Sequence, residues 1–140
     1  ALESTPGAKM ATLGKRITSP GEVENPNVVT VVKDLGGNAI YFSRYPIPYQ
    51  RGGPAALYKH IGLYAYRRDF LLQYSSMPVG PLEKAECLEQ LRALENGHRI
   101  AVAETAYDSL GVDTPEDLME IRQWLEARMG TAAPLAGEGS

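Results

Sequence analysis

The sequence predicts an α/β domain, and three features carry that expectation. Runs rich in β-branched and aromatic residues (Val28 to Val32, Ala39 to Ser43, Lys59 to Tyr66) alternate with segments of helical spacing. Leu82, Ala85, Leu88, Leu91 and Leu94 recur behind Pro81, which suits a first helical position. Two β-rich runs flank Asp34-Leu35-Gly36-Gly37-Asn38, the pattern of a hairpin.

Taken in order, Ala1 to Ser4 read as the last turn of a helix closed by Pro6-Gly7, a hint of chain upstream of residue 1. Met10 to Leu13 is a short strand, and Ser19 to Asn27, rich in Pro, Gly, Asn and Glu, is a loop. The hairpin Val28 to Ser43 follows. Tyr45 to Tyr49 is excluded as a central strand because Pro46 and Pro48 remove ladder donors. Gln50 to Ala55 is a loop. In the strand Lys59 to Tyr66, His60, Gly62, Tyr64 and Tyr66 share one face, and Ile61, Leu63 and Ala65 the other. Arg67 to Tyr74 is a short helix, and Pro81 to Asn96 a longer one closed by Gly97. Arg99 to Ala103 is a strand. A last helix opens on Thr114-Pro115-Glu116-Asp117, a capping box with Asp in place of Glu or Gln, and is expected to bury Leu118, Ile121, Trp124 and Leu125. Residues 1–130 read as one unit and 131–140 as a disordered tail.

Composition narrows the function classes. The 140 residues carry 14 cations and 17 anions, a net charge of −3, which argues against a nucleic-acid footprint. No run of about 18 apolar residues is present to span a membrane. The single cysteine, Cys87, fits a reducing, cytoplasmic setting and reads as a small buried hydrophobe. Two histidines and one cysteine argue against a Cys/His zinc site, and no Ser-His-Asp or Cys-His nucleophile pattern stands out; His98, beside Gly97, reads as surface.

Four places carry groups suited to chemistry. His60 and Tyr64 point the same way across Gly62, either as a packed core pair or as a pocket wall that a ligand reaches over side-chain-free backbone. Glu89 and Gln90 flank the leucine stripe, as solvated residues or as ligand contacts, with Glu89 a possible ion-pair partner for Arg92. Arg44 ends a hairpin strand, as a surface cation, a clamp on a local carboxylate, or a bidentate binder of a ligand carboxylate; Ser43 is a weaker candidate beside it. Asp113 precedes the last helix, where the helix dipole alone stabilises a carboxylate by about 0.3–1 kcal/mol.

Four strings then give a resemblance. Tyr41-Phe42-Ser43-Arg44 with Pro46-Ile47-Pro48-Tyr49, Lys59 to Arg67, Pro81-Leu82-Glu83 with Leu88 to Leu94, and Gly111 to Leu118 resemble, in this order, the CMP-Kdo synthetases (3-deoxy-manno-octulosonate cytidylyltransferases). That resemblance implies a three-layer, Rossmann-like nucleotide-sugar transferase fold with a β-hairpin excursion, a homodimer, and Mg²⁺-dependent transfer of CMP from CTP to Kdo for lipopolysaccharide assembly. It implies that Asp113 is a catalytic metal ligand, that His60, Tyr64, Glu89 and Gln90 contact Kdo, and that Arg44 contacts the substrate. Family chains are roughly twice as long, and their triphosphate loop, cytosine pocket and first metal carboxylate lie in an N-terminal half. The chain is therefore expected to be the C-terminal, sugar-binding and dimerising half, inactive without its partner half, with the hairpin as the dimer contact. Two other readings stay open: a cytidylyltransferase for a related acidic sugar (amino-Kdo or a sialic acid), and a non-catalytic sugar-binding or dimerisation module.

Overall fold

The structure is a computed structural model that describes residues 1–108, 112 and 114–129. The chain divides into two compact units, 1–108 and 109–140.

The first unit is built on a central strand, β1 (Ala8–Arg16), which buries Ala8, Met10, Ala11 and Thr12 and is hydrogen-bonded on both sides. A short helix, α1 (Pro20–Glu24), interrupts the expected loop, with Pro20 at its first position. The hairpin forms as the sequence predicts: β2 (Thr30–Lys33) and β3 (Ala39–Ser43) pair antiparallel, with Thr30 opposite Ser43. Its turn places Gly37 at φ +82, a conformation that favours glycine. Asp34 accepts the Asn38 N–H there at 2.8 Å, and that bond holds its carboxyl below the usual value. Strand β4 (Tyr58–Tyr66) runs antiparallel to both β1 and β2, and β5 (Arg99–Glu104) lies parallel to β1. The sheet order is β3-β2-β4-β1-β5.

Three helices, α2 (Arg68–Tyr74), α3 (Pro81–Glu86) and α4 (Leu91–Glu95), lie between β4 and β5 in sequence. The main core joins Met10, Val31, Phe42, Ile100 and Val102 of the strands to Phe70 of α2, Leu88, and Leu91 and Ala93 of α4. Lys59 of β4 ties the edge of this unit by pairing with Glu22 of α1 and with Asp108, which also takes Lys15, each at 2.5 Å.

The expected single helix over 81–96 is instead two. A residue advances about 100° around a helix, so each three-residue step falls about 60° short of a full turn. Along one helix Leu82 and Leu91 would face opposite ways. The chain breaks at Cys87, which takes a left-handed conformation (φ +53, ψ 48), and Leu88 and Leu91 are buried while Leu82 stays 43% exposed. Cys87 is exposed, not buried, because it sits on the outside of that bend. His98 is half-buried, not surface: its ring packs edge-on against Phe70 at 5.0 Å.

In the second unit, α5 (Pro115–Met129) opens on the expected capping box. Thr114 Oγ1 accepts the Asp117 N–H at 3.2 Å, and Asp117 Oδ2 accepts the Thr114 N–H at 2.8 Å. Its apolar stripe is not buried as expected, since Leu118, Trp124 and Leu125 are each more than two-fifths exposed. The tail 131–140 and Asp113 lie outside the described residues.

Candidate functional site

The site is organised by an irregularity in β4. Thr12 pairs with Tyr64 and the next residue, Leu13, pairs with Ile61, so Gly62 and Leu63 are extra residues that loop out. In a regular strand His60 and Tyr64 would stand about 13 Å apart at 3.3 Å per residue. With the bulge their ring centroids are 5.4 Å apart. The bulge also explains why Ile61 is buried at 7% while Leu63 is 64% exposed, and why a Cβ on Gly62 would meet nothing within 4 Å. The open backbone expected at Gly62 is present.

Thr12, 2% exposed, locks this bulge. Its hydroxyl lies 2.8 Å from Leu63 O, 3.1 Å from Ile61 O and 2.9 Å from His60 Nε2. The His60 ring also meets the edge of Phe42 at 5.0 Å. Enclosure of this kind disfavours the imidazolium, and burial lowers the His60 pKa from 6.5 to about 4. Burial likewise raises the Tyr64 hydroxyl well above its usual value, so at neutral pH Tyr64 is an O–H donor and His60 an uncharged ring.

From Tyr64 an aromatic row continues through Tyr66 (6.1 Å) to Phe70 (6.5 Å) and Tyr74 (6.1 Å from Tyr66). Tyr74 is pushed up to about 12, chiefly by burial, and its hydroxyl donates to Glu89 O at 2.6 Å. That bond brings the Glu89-Gln90 segment against the row, and the exposed Glu89 carboxylate adds to the upward shifts of Tyr64, Tyr66 and Tyr74. Gln90 is 4% exposed at the start of α4. Arg92 does not pair with Glu89. It makes a bidentate pair with buried Glu83 (2.6 and 2.8 Å) and lies over the Tyr74 ring, because α3 folds back beside α4.

Arg44 reaches the same bend from β3. Its Nε donates to Glu86 O at 2.8 Å and its Nη2 to Cys87 O at 3.3 Å, the carbonyls that end α3. In return the Glu86 carboxylate accepts Ser43 Oγ at 2.9 Å, Tyr41 OH at 3.3 Å and the Arg44 backbone N–H at 3.0 Å. Glu86 and Thr12 are the residues that sequence reading missed; a lone threonine in an apolar strand was a usable signal, a glutamate on a continuous helix was not. The structure thus gathers His60, Tyr64 and Glu89-Gln90 along one aromatic row, with Arg44 fastened to the bend that leads into Glu89. Asp113 lies outside the described residues, and among those described no group of three His, Cys, Asp or Glu is placed to hold a metal ion.

A family model described as cytidylyltransferase matches residues 1–100. The chain belongs to the cytidylyltransferase family. The 3-deoxy-manno-octulosonate cytidylyltransferase of Solibacter usitatus (strain Ellin6076) is 58% identical to this chain over 99% of the chain's length and 54% of the relative's. The protein of the same name from Geobacter sulfurreducens is 50% identical over 89% of the chain and 55% of the relative. A solved CMP:2-keto-3-deoxy-manno-octonic acid synthetase complexed with CTP superposes with a TM-score of 0.83 at 42% identity, covering 91% of this chain and 53% of that one. The expected α/β fold is therefore borne out, and the chain spans about half the length of the curated relatives it matches.

Proposed function

We propose that this chain is the C-terminal, sugar-acid-binding half of an enzyme that joins CTP and Kdo to give CMP-Kdo and pyrophosphate, activating the sugar for lipopolysaccharide assembly. The observation that carries this reading is identity of 58% to a 3-deoxy-manno-octulosonate cytidylyltransferase across 99% of the chain. In the proposed reaction the anomeric hydroxyl of the sugar attacks the α-phosphorus of CTP; one P–O bond forms as the bond to pyrophosphate breaks. Such transfers depend on positioning and charge neutralisation.

The chain's residues are assigned to the sugar. Tyr64 donates its hydroxyl hydrogen, neutral His60 supplies a ring nitrogen, and Glu89 and Gln90 take hydroxyl groups along the row. Arg44 has five N–H donors and spends two on Glu86 O and Cys87 O, which leaves three for the sugar's carboxylate. The bend thus holds the guanidinium in place before the ligand arrives.

The described residues alone do not make a magnesium site, and none of the roles assigned to them passes through the ion. In this proposal Asp113 supplies one oxygen ligand, with a second carboxylate and the triphosphate grip contributed by an N-terminal half. When bound, the ion supplies charge neutralisation at the phosphates. A cytoplasmic location and a homodimer complete the proposal. In this proposal the hairpin's dimer contact would use Leu35 and Ile40, which are exposed (Ile40 at 60%), rather than Val31, which is 1% exposed in the chain's own core.

Pyrophosphate release tests the reading, with CTP and either Kdo, amino-Kdo or a sialic acid offered to an enzyme that joins this chain to an N-terminal half. Kdo is expected to be the preferred sugar, and Asp113→Asn to abolish release. Preference for a sialic acid, or full activity of the 15.2 kDa chain alone, would overturn it.

A further inference from the structure

We propose that Thr12 is a positioning residue that fixes His60 as the Nε2–H tautomer, so that Nδ1 is the acceptor the site offers to a ligand hydroxyl. The proposal rests on the sugar-binding reading only for the identity of that ligand; the tautomer is a property of the free chain.

The argument is a hydrogen count at one buried oxygen. Thr12 Oγ1 has a single hydrogen and two lone pairs. Three polar atoms surround it: Leu63 O at 2.8 Å, Ile61 O at 3.1 Å and His60 Nε2 at 2.9 Å. Both carbonyl oxygens can only accept. Were the hydroxyl hydrogen turned to Nε2, both carbonyls would face Oγ1 lone pairs at these distances with no hydrogen between them, in a site where Thr12 is 2% exposed. The hydroxyl therefore donates to the carbonyls, Leu63 O being the nearer, and accepts from Nε2–H. A ring that carries its hydrogen on Nε2 and is neutral has a lone pair on Nδ1. Burial of the ring, which disfavours the imidazolium, agrees with this.

Nδ1 is the free end. The only hydrogen bond of the His60 ring among the described residues is the one to Thr12, and Nδ1 is not among the sealed, unpartnered polar atoms, so it is not closed off from solvent. Phe42 and Tyr64 flank the ring at 5.0 and 5.4 Å and oppose its rotation. The β4 bulge is what presents both carbonyls to one hydroxyl, so the backbone irregularity and the ring's chemistry are a single device. The consequence is selectivity: the ligand group opposite Nδ1 must be an O–H or N–H donor, and a carbonyl or carboxylate oxygen there is rejected.

Long-range ¹H–¹⁵N spectroscopy of the histidine-labelled chain at neutral pH reads the tautomer directly. The expected result is a protonated Nε2 and an unprotonated Nδ1 on His60, retained in Thr12→Ser and replaced by a tautomer mixture in Thr12→Val. An Nδ1–H ring in the unsubstituted chain, or a Thr12→Val spectrum identical to that of the unsubstituted chain, overturns the proposal; if Thr12→Val does not fold, Thr12→Ala, which also removes the hydroxyl, supplies the same readout. Adding Kdo should then move the Nδ1 resonance. In the joined enzyme Thr12→Val should raise the KM for the sugar by about three- to tenfold while leaving that for CTP unchanged, the loss expected for one neutral hydrogen bond. A correct tautomer with no Nδ1 response to Kdo overturns the sugar as its ligand and leaves Thr12's effect on the ring standing.

Discussion

The enclosed imidazole of His60 makes the stability of this chain depend on pH in a window that few other groups share. Burial lowers its pKa from 6.5 to about 4 in the folded chain. A group with a depressed folded value contributes stability that is present above the unfolded value, here 6.5, and lost as pH falls toward the folded one. Acidification from about pH 7 to about pH 5 protonates His60 in the unfolded chain only. At about 1.4 kcal/mol per pKa unit, folding should weaken by about 2 kcal/mol by pH 5 and by roughly 3 kcal/mol in full. The carboxylates of Asp34, Glu104 and Asp108 are also held low, but they act only below their ordinary values near 4. Urea unfolding followed by far-ultraviolet circular dichroism is the suitable assay, because the single tryptophan, Trp124, sits on α5 outside the first unit. The midpoint should fall between pH 7 and pH 5 in the native chain and stay nearly level in His60→Gln. A level midpoint in the native chain, or an equal fall in the variant, would show that His60 does not set this window.

Other substitutions probe the bend and its supports. Cys87→Gly removes a Cβ from a left-handed residue and should stabilise the chain by about 0.5–1 kcal/mol, read as a higher melting temperature; a loss would show that the bend is not strained. Glu83→Ala leaves the Arg92 guanidinium without its buried partner and should cost roughly 3 kcal/mol, with much of that regained in Glu83→Met combined with Arg92→Met; an additive double variant would contradict this. A Cβ on Gly80 would overlap the Glu95 carboxylate, which caps α3 by accepting the Leu82 and Glu83 N–H groups, so Gly80→Ala should destabilise by about 1–2 kcal/mol in urea unfolding. Gly62→Ala meets open space and should leave stability within about 0.5 kcal/mol in urea unfolding; a larger loss would show that the bulge is not open there.

Much of the frame was legible because it is local. The hairpin announces itself by β-branched runs around Gly36-Gly37, and the capping box of α5 by Thr114 and Asp117 three residues apart. The features that shape the site are not local. The bulge at Gly62-Leu63 exists because β1 pairs with β4 out of step, which no periodicity within Lys59 to Tyr66 reveals; alternation put His60 and Tyr64 on one face but not in contact. The break at Cys87 depends on Glu86 meeting Ser43 and Arg44 more than 40 residues away, and the drifting leucine spacing is its only trace in the sequence. The sequence leaves Arg44 as a surface cation, a clamp on a local carboxylate or a ligand contact; in the fold it clamps two carbonyls and has donors left for a ligand.

On the proposed reading, the β4 row carries the binding surface for an eight-carbon sugar acid. Calorimetric titration of Kdo into the folded 140-residue chain, without CTP and with a sialic acid as comparator, tests it most directly. Saturable, one-to-one binding of Kdo is expected, lost in His60→Ala and weak or absent with the sialic acid. No saturable heat with Kdo, from a chain whose circular dichroism shows it folded, would contradict it.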